Sequence, residues 1–192
     1  MAPRGHLSPV VIAVLALLAE EPMHAYRMQQ LIRERGVDLV VNVRTRSGLH
    51  AALDRLVRDG LIRVQTVERA ARRPERTVYE LTEPGREALL AAVRSGIGTP
   101  AREFPLFPAA VSFLHLLDSA DALRYLRQRA GELRTRVAAT EAVLTSSAES
   151  SVPRLHLLEQ EYLKAVRTAE LSWLDEVCAD LESGSLSWKR YF

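Results

Sequence analysis

Two clusters of arginine carry the polar chemistry of the first half of this sequence. Arg44, Thr45, Arg46, Ser47 and His50 fall within seven residues, and Arg55 follows on the same segment. Farther on, the stretch 68–76 holds Arg69, Arg72, Arg73 and Arg76 among two glutamates. Guanidinium forks, hydroxyls and an imidazole at such density are the groups that bond phosphate oxygens and base edges. Arg46 and His50 are read as contacts to bases or neighbouring phosphates. Arg55 and the four arginines of the second cluster are read as phosphate contacts.

The elements that would hold these side chains can be read from the spacing. Leu49, Ala52/Leu53 and Leu56/Val57 recur at helical intervals and leave His50, Asp54, Arg55 and Arg58 on the opposite face. Gly60 stands where a left-handed cap would end that helix, and 61–67 then reads as a strand. The charged stretch 68–76 is the tip of a hairpin that returns through 77–81. A basic helix followed by an arginine-tipped hairpin is the pattern of a winged helix-turn-helix bound to nucleic acid, against the plainer reading of an exposed helix and a solvated loop.

Composition sharpens this. Residues 1–96 carry 15 Lys/Arg against 11 Asp/Glu, and residues 97–192 carry 11 against 13, so the basic half is the one with the clusters. Cys178 is the single cysteine, which excludes a disulfide framework or a multi-cysteine metal site within one chain and suits a reducing cytoplasm. The longest apolar run, Pro9 to Ala19, is about half of a bilayer span and lacks a small-residue cleavage site after it. A soluble, cytoplasmic protein without membrane partners is expected. The five histidines show no i, i+4 pairing, none lies near Cys178, and neither a phosphate loop nor a nucleophile elbow occurs. No catalytic residue, metal site or cofactor is expected.

Ahead of the basic helix, Ser8-Pro9 opens a nearly all-apolar helix ended by Glu20-Glu21-Pro22, and a second helix is expected from about Met23 to Arg35, stopped by Gly36. His24 and Tyr26 are read as packing residues tying that helix to the wing. The segment Val37–Val43 reads either as a short strand or as an extended connector. After the hairpin, Thr82 caps a helix with Pro84 in its first turn, ending near Ser95-Gly96. Residues 97–108, with three prolines and Gly98, read as a linker between a winged domain, 1–96, and a helical domain, 109–192.

In the second half a short helix is expected at Ala109–Leu117. Leu123, Leu126, Ala130, Leu133, Val137, Thr140 and Leu144 then form a heptad seam. A second seam is expected at Leu155, Leu158, Tyr162, Ala165/Val166, Ala169, Trp173, Val177 and Leu181. Two such helices and a small domain cannot bury both seams alone, so a homodimer built on this half is expected; a monomeric helical hairpin is the alternative. The aromatic residues Phe104, Phe107, Phe113, Tyr162 and Trp173, with His115, are candidates for a pocket that takes a small apolar or aromatic effector, or else they are core. Trp188, Tyr191 and Phe192 form a tail that would cross to the partner.

Four motifs in order resemble the PadR-like family of bacterial transcriptional regulators. Glu21-Pro22-Met23-His24-Ala25-Tyr26 is similar to the family's Pro-x-His-Gly-Tyr segment, with alanine for glycine, and it follows the apolar helix Val10–Leu18. Residues 49–62 match its helix ending Leu-x-x-Leu-x-x-x-Gly-Leu-Ile. Tyr79-Glu80-Leu81-Thr82-Glu83-Pro84-Gly85 is similar to its Tyr-x-Leu-Thr-x-x-Gly signature. His50 stands where the family usually has a tyrosine, so a tyrosine-based DNA contact does not carry over. The resemblance implies a dimer holding two winged domains on a roughly palindromic operator in double-stranded DNA, and repression relieved by a small molecule near the dimer interface.

The expected architecture is therefore mainly α with a small β wing: an N-terminal winged helix-turn-helix and a C-terminal long-helix dimerisation domain. A winged-helix module that binds protein instead of DNA is the competing class, disfavoured by the charge of the wing.

Overall fold

A computed structural model describes residues 7–42, 46–68 and 76–189, with the side chains of residues 46, 47, 67, 68 and 76 left aside. The chain divides into two compact units, 1–102 and 103–192.

In the first unit, α1 (Pro9–Glu20) starts on its proline, as a first turn permits, and buries Val11, Val14, Leu15, Leu17 and Leu18. Apolar side chains around most of its circumference make it the central helix of the unit. The two-residue strand β1 (Met23–His24) leads into α2 (Ala25–Glu34), whose Met28, Leu31 and Ile32 face the core. The sequence reading merged β1 into α2. Ala25 is the first residue of α2, where an L side chain fits a helical backbone. Past Gly36, Val37–Leu39 form a 3-10 turn, neither strand nor extended connector, and Val41 is buried beyond it. Val43 lies outside the described residues.

Next come α3 (Arg46–Arg58), β2 (Ile62–Glu68) and β3 (Arg76–Leu81). The sheet is antiparallel in the order β1-β3-β2, with Met23 opposite Tyr79, Ile62 opposite Leu81 and Glu68 opposite Arg76, and the β2–β3 register shifts between Val64 and Thr66. The first unit ends in α4 (Glu83–Gly98), two residues longer than read.

In the second unit, α5 (Leu106–Ser112) begins three residues earlier than expected, because Pro105 precedes it and Pro108 sits in its first turn, where its missing N–H costs nothing. A 3-10 turn at Leu114–Leu116 joins it to α6 (Ser119–Glu149), and α7 (Leu158–Ser183) runs back antiparallel to α6. Ion pairs fix that direction: Arg127 with Glu182, Arg134 with Asp175 at 2.5 Å and Lys164 with Glu141 at 3.0 Å.

The α6 seam forms as read, with Leu126, Ala130, Leu133 and Thr140 buried. The α7 seam does not. Its inward heptad runs through Gln160, Lys164, Arg167, Leu171, Leu174, Cys178 and Leu181, and of the residues read as its seam only Val177 and Leu181 share that side. Leu158, Tyr162, Val166 and Trp173 lie exposed on the other face, and Leu155 is exposed in the 3-10 turn just before the helix. Polar residues are admitted inward because they are bonded: Arg167 Nη1 donates to Thr140 Oγ1 at 3.0 Å, and Thr140 in turn donates to the Arg136 carbonyl. Trp188 does not extend outward. Its Nε1 donates to the Leu117 carbonyl at 2.9 Å, and its ring packs on the α6–α7 core of its own unit. No helix among the described residues is long and apolar enough to cross a membrane.

Candidate nucleic-acid interface

The basic face of α3 is held outward by what the opposite face buries. Leu49, Leu53 and Leu56 are almost completely enclosed, so His50, Ala51, Asp54, Arg55 and Arg58 are left in solvent. Arg58 turns back, its Nε donating to the Asp54 carbonyl at 3.4 Å. The helix ends in a paired-bond cap: the Gly60 N–H donates to Val57 O and the Leu61 N–H to Leu56 O, with Gly60 at φ +71°.

That cap is tied to the wing and to α4 by one residue. Thr82 Oγ1 accepts the Gly85 N–H as the cap of α4, and it lies 2.8 Å from both the Gly60 and Leu61 carbonyl oxygens, the acceptors for its O–H. The Thr82 N–H also reaches Leu61 O. Gly85 completes the junction, since a Cβ there would stand 2.0 Å from the Leu61 carbonyl oxygen and 2.8 Å from a Leu81 methyl. The motif Thr82-Glu83-Pro84-Gly85 is therefore a close-packing device at the end of α3.

Across the sheet, Arg63 pairs with Glu80, its direct neighbour in register. Tyr79 is buried beside them; burial first, then the Asp54 carboxylate, push its phenol above its ordinary pKa.

Of the residues expected at the interface, His50 and Arg55 are exposed on α3. Arg46 and Ser47 open α3, and Arg76 opens β3 opposite Glu68. Arg44, Thr45, Arg69, Arg72 and Arg73 lie outside the described residues. Tyr26, read as a packing residue, is 59% exposed.

The expected effector residues all belong to the second unit, and only some of them meet. Phe107 and Trp173 stand edge to face with ring centroids 6.0 Å apart. Phe113 and His115 form a separate pair at 6.5 Å, while Tyr162, 68% exposed, sits on α7 eleven residues before Trp173, about 16 Å along the axis. Phe104 is exposed. The sequence reading missed Arg129, whose guanidinium lies 3.6 Å from the Phe107 ring centroid and pairs with Glu170. An arginine flanking a heptad seam was the available signal, because such positions bring a cation back over aromatic neighbours.

Residues 14–91 match the model of the transcriptional regulator PadR-like family. No curated protein matches by sequence. Among solved structures, Bacillus subtilis PadR in complex with operator DNA is similar at 17% identity and a TM-score of 0.73, covering 91% of this chain and 98% of that one. The same protein in complex with p-coumaric acid gives 17% and 0.70, covering 91% and 99%. The Vibrio cholerae virulence activator AphA gives 18% and 0.70, covering 91% and 98%. The family model covers residues 14–91, within the winged unit, and the solved structures share the fold along nearly the whole chain.

Proposed function

We propose that this chain is a PadR-like transcriptional regulator, a cytoplasmic homodimer that represses transcription from a palindromic operator and is released by a small-molecule effector. The observation that carries the DNA contact is the outward basic face of α3, locked at its far end by Gly60, Thr82 and Gly85 and followed by the arginine-tipped hairpin. Arg44, Thr45, Arg46, Ser47 and His50 meet base edges or adjacent phosphates; Arg55, Arg69, Arg72, Arg73 and Arg76 meet phosphates.

The exposed stripe Leu155, Leu158, Tyr162, Val166 and Trp173 supports the dimer, because so long a row of apolar side chains is stable in water only when covered. Two winged units related by a two-fold axis would then meet half-sites one helical turn or a multiple apart. For the effector, the Phe107–Trp173 pair with the Arg129 cation favours an aromatic acid, the class to which the p-coumaric acid bound by Bacillus subtilis PadR belongs. Repression is the sign expected of the family, while AphA is a virulence activator.

The test is a gel shift of the purified protein on DNA upstream of its own gene, at several salt concentrations and against excess random duplex. A specific, salt-sensitive shift at two protomers per site supports the reading, and a promoter fusion fixes the sign. Absence of binding even to duplexes selected from random DNA would favour the protein-binding module.

A further inference from the structure

Tyr26 is an aromatic residue the fold does not use. Met28, Leu31 and Ile32 supply the buried face of α2, and Tyr26, off that face in its first turn, keeps 59% of its surface in solvent. The ring is nonetheless not loose. It lies 6.3 Å from the imidazole of His24, and that imidazole is itself held as the cap of α2, its Nδ1 accepting the Arg27 N–H at 3.0 Å.

The sheet register says where this residue stands. β3 runs away from the hairpin tip, from Arg76 at the wing root to Leu81. β1 is antiparallel to it, with Met23 opposite Tyr79 and His24 opposite Val78, so the chain leaves β1 heading toward Thr77 and Arg76. The first turn of α2 therefore begins at the end of the sheet where Glu68 stands opposite Arg76. In a helix-turn-helix the helix before the recognition helix crosses the phosphate backbone, and tyrosine hydroxyls are among the groups that bond phosphate oxygens there.

We propose that Tyr26 donates its phenolic O–H to a backbone phosphate of the DNA, fixing how the first turn of α2 sits against the duplex. The inference rests on the DNA reading above. It assigns Tyr26 a neutral, sequence-independent contact, distinct from the charged contacts of the wing.

The test uses the full-length protein and its tightest duplex selected from random DNA, with a random duplex beside it. Tyr26→Phe removes one oxygen from a solvent-exposed ring and leaves the thermal melt unchanged. It is expected to weaken binding to both duplexes roughly tenfold, the scale of a hydrogen bond to a charged group. The slope of log K against log salt stays that of the wild type, because a neutral donor releases no counterion, whereas loss of an arginine contact lowers that slope by about 0.9. If the wild type binds and Tyr26→Phe binds equally well, the Tyr26 contact is overturned and the DNA reading stands. If the wild type binds no duplex, both fall together.

Discussion

The winged unit and the helical hairpin solve the same problem in opposite ways. In the first, the large apolar side chains of α1, α2 and α3 converge on one core with Met23, Ile62, Tyr79 and Leu89. In the second, α7 turns Gln160, Lys164 and Arg167 toward α6 and leaves Tyr162, Val166 and Trp173 outside. Only the lower part of the hairpin, around Leu126, Ala130, Leu133, Leu174, Cys178 and Leu181, has an apolar interior. The winged unit draws the apolar faces of most of its elements into one core and leaves Leu90, Val93 and Ile97 of α4 in solvent, whereas the hairpin sets a row of apolar side chains outward along most of α7.

Matched truncations would break or sharpen that contrast. Leu15→Ala, in the centre of the winged core, should cost about 3–5 kcal/mol in chemical denaturation. Tyr162→Ala and Trp173→Ala should instead leave the stability of dilute protein within about 1 kcal/mol and shift the sedimentation equilibrium toward monomer. An equal loss of stability in all three, with no change in association, would erase the distinction.

Gly85→Ala should cost about 3 kcal/mol or more, because the added methyl meets a backbone carbonyl and not a flexible side chain. Both the melting temperature and DNA binding should fall, since the displaced junction is the end of α3. Replacing Arg72 and Arg73 by alanine should weaken binding to all duplexes and flatten the salt dependence by about 0.9 in slope per lost contact. An unchanged slope would remove the wing from the interface.

Smaller effects mark the hairpin tip and the rim of the winged core. Ser151 holds φ +56° where the Val152 N–H returns to Ser147 O at the end of α6, the geometry that glycine serves at position 60. Ser151→Gly should therefore stabilise the protein by about 0.5–1 kcal/mol in thermal melts. Glu20 accepts two hydrogen bonds from Arg35, at 2.5 and 2.8 Å, and that guanidinium holds its carboxyl below the ordinary 4.5. A carboxyl lowered in the folded state stabilises at neutral pH and loses that contribution as acidity rises past 4.5 and through the folded value. Both side chains are solvated, so the expected difference between wild type and Glu20→Gln is about 0.5 kcal/mol or less at neutral pH, vanishing in acid.

The winged unit was largely legible because its local signals and its core agree. Leu49, Leu53 and Leu56 gave α3, and Gly60 gave its end, for reasons that act within one turn of chain. Strand β1 was invisible, since two residues carry no period and their pairing with β3 is a long-range event. The α6 seam was legible for the same reason as α3. The inward face of α7 was not, because periodicity detects apolar rows without saying which neighbour covers them. A lysine, an arginine and a glutamine on the true inner heptad masked it, the lysine and arginine tolerated by pairing with Glu141 and Thr140, all three near the turn end of the hairpin. At the interface, the residue types announced nucleic acid, but the availability of Tyr26 emerged only from burial and sheet register.

The junction at Thr82 has a mechanical consequence. It clamps one end of α4 to the stop of α3 and to the end of β3, while the other end of that 16-residue helix carries Ile97 into solvent. The helix is about 24 Å long, so it acts as a lever with a short, rigid fulcrum. A tilt of that helix about Thr82 would carry the stop of α3 with it, because the Thr82 bonds and the close approach of Gly85 leave the junction no slack.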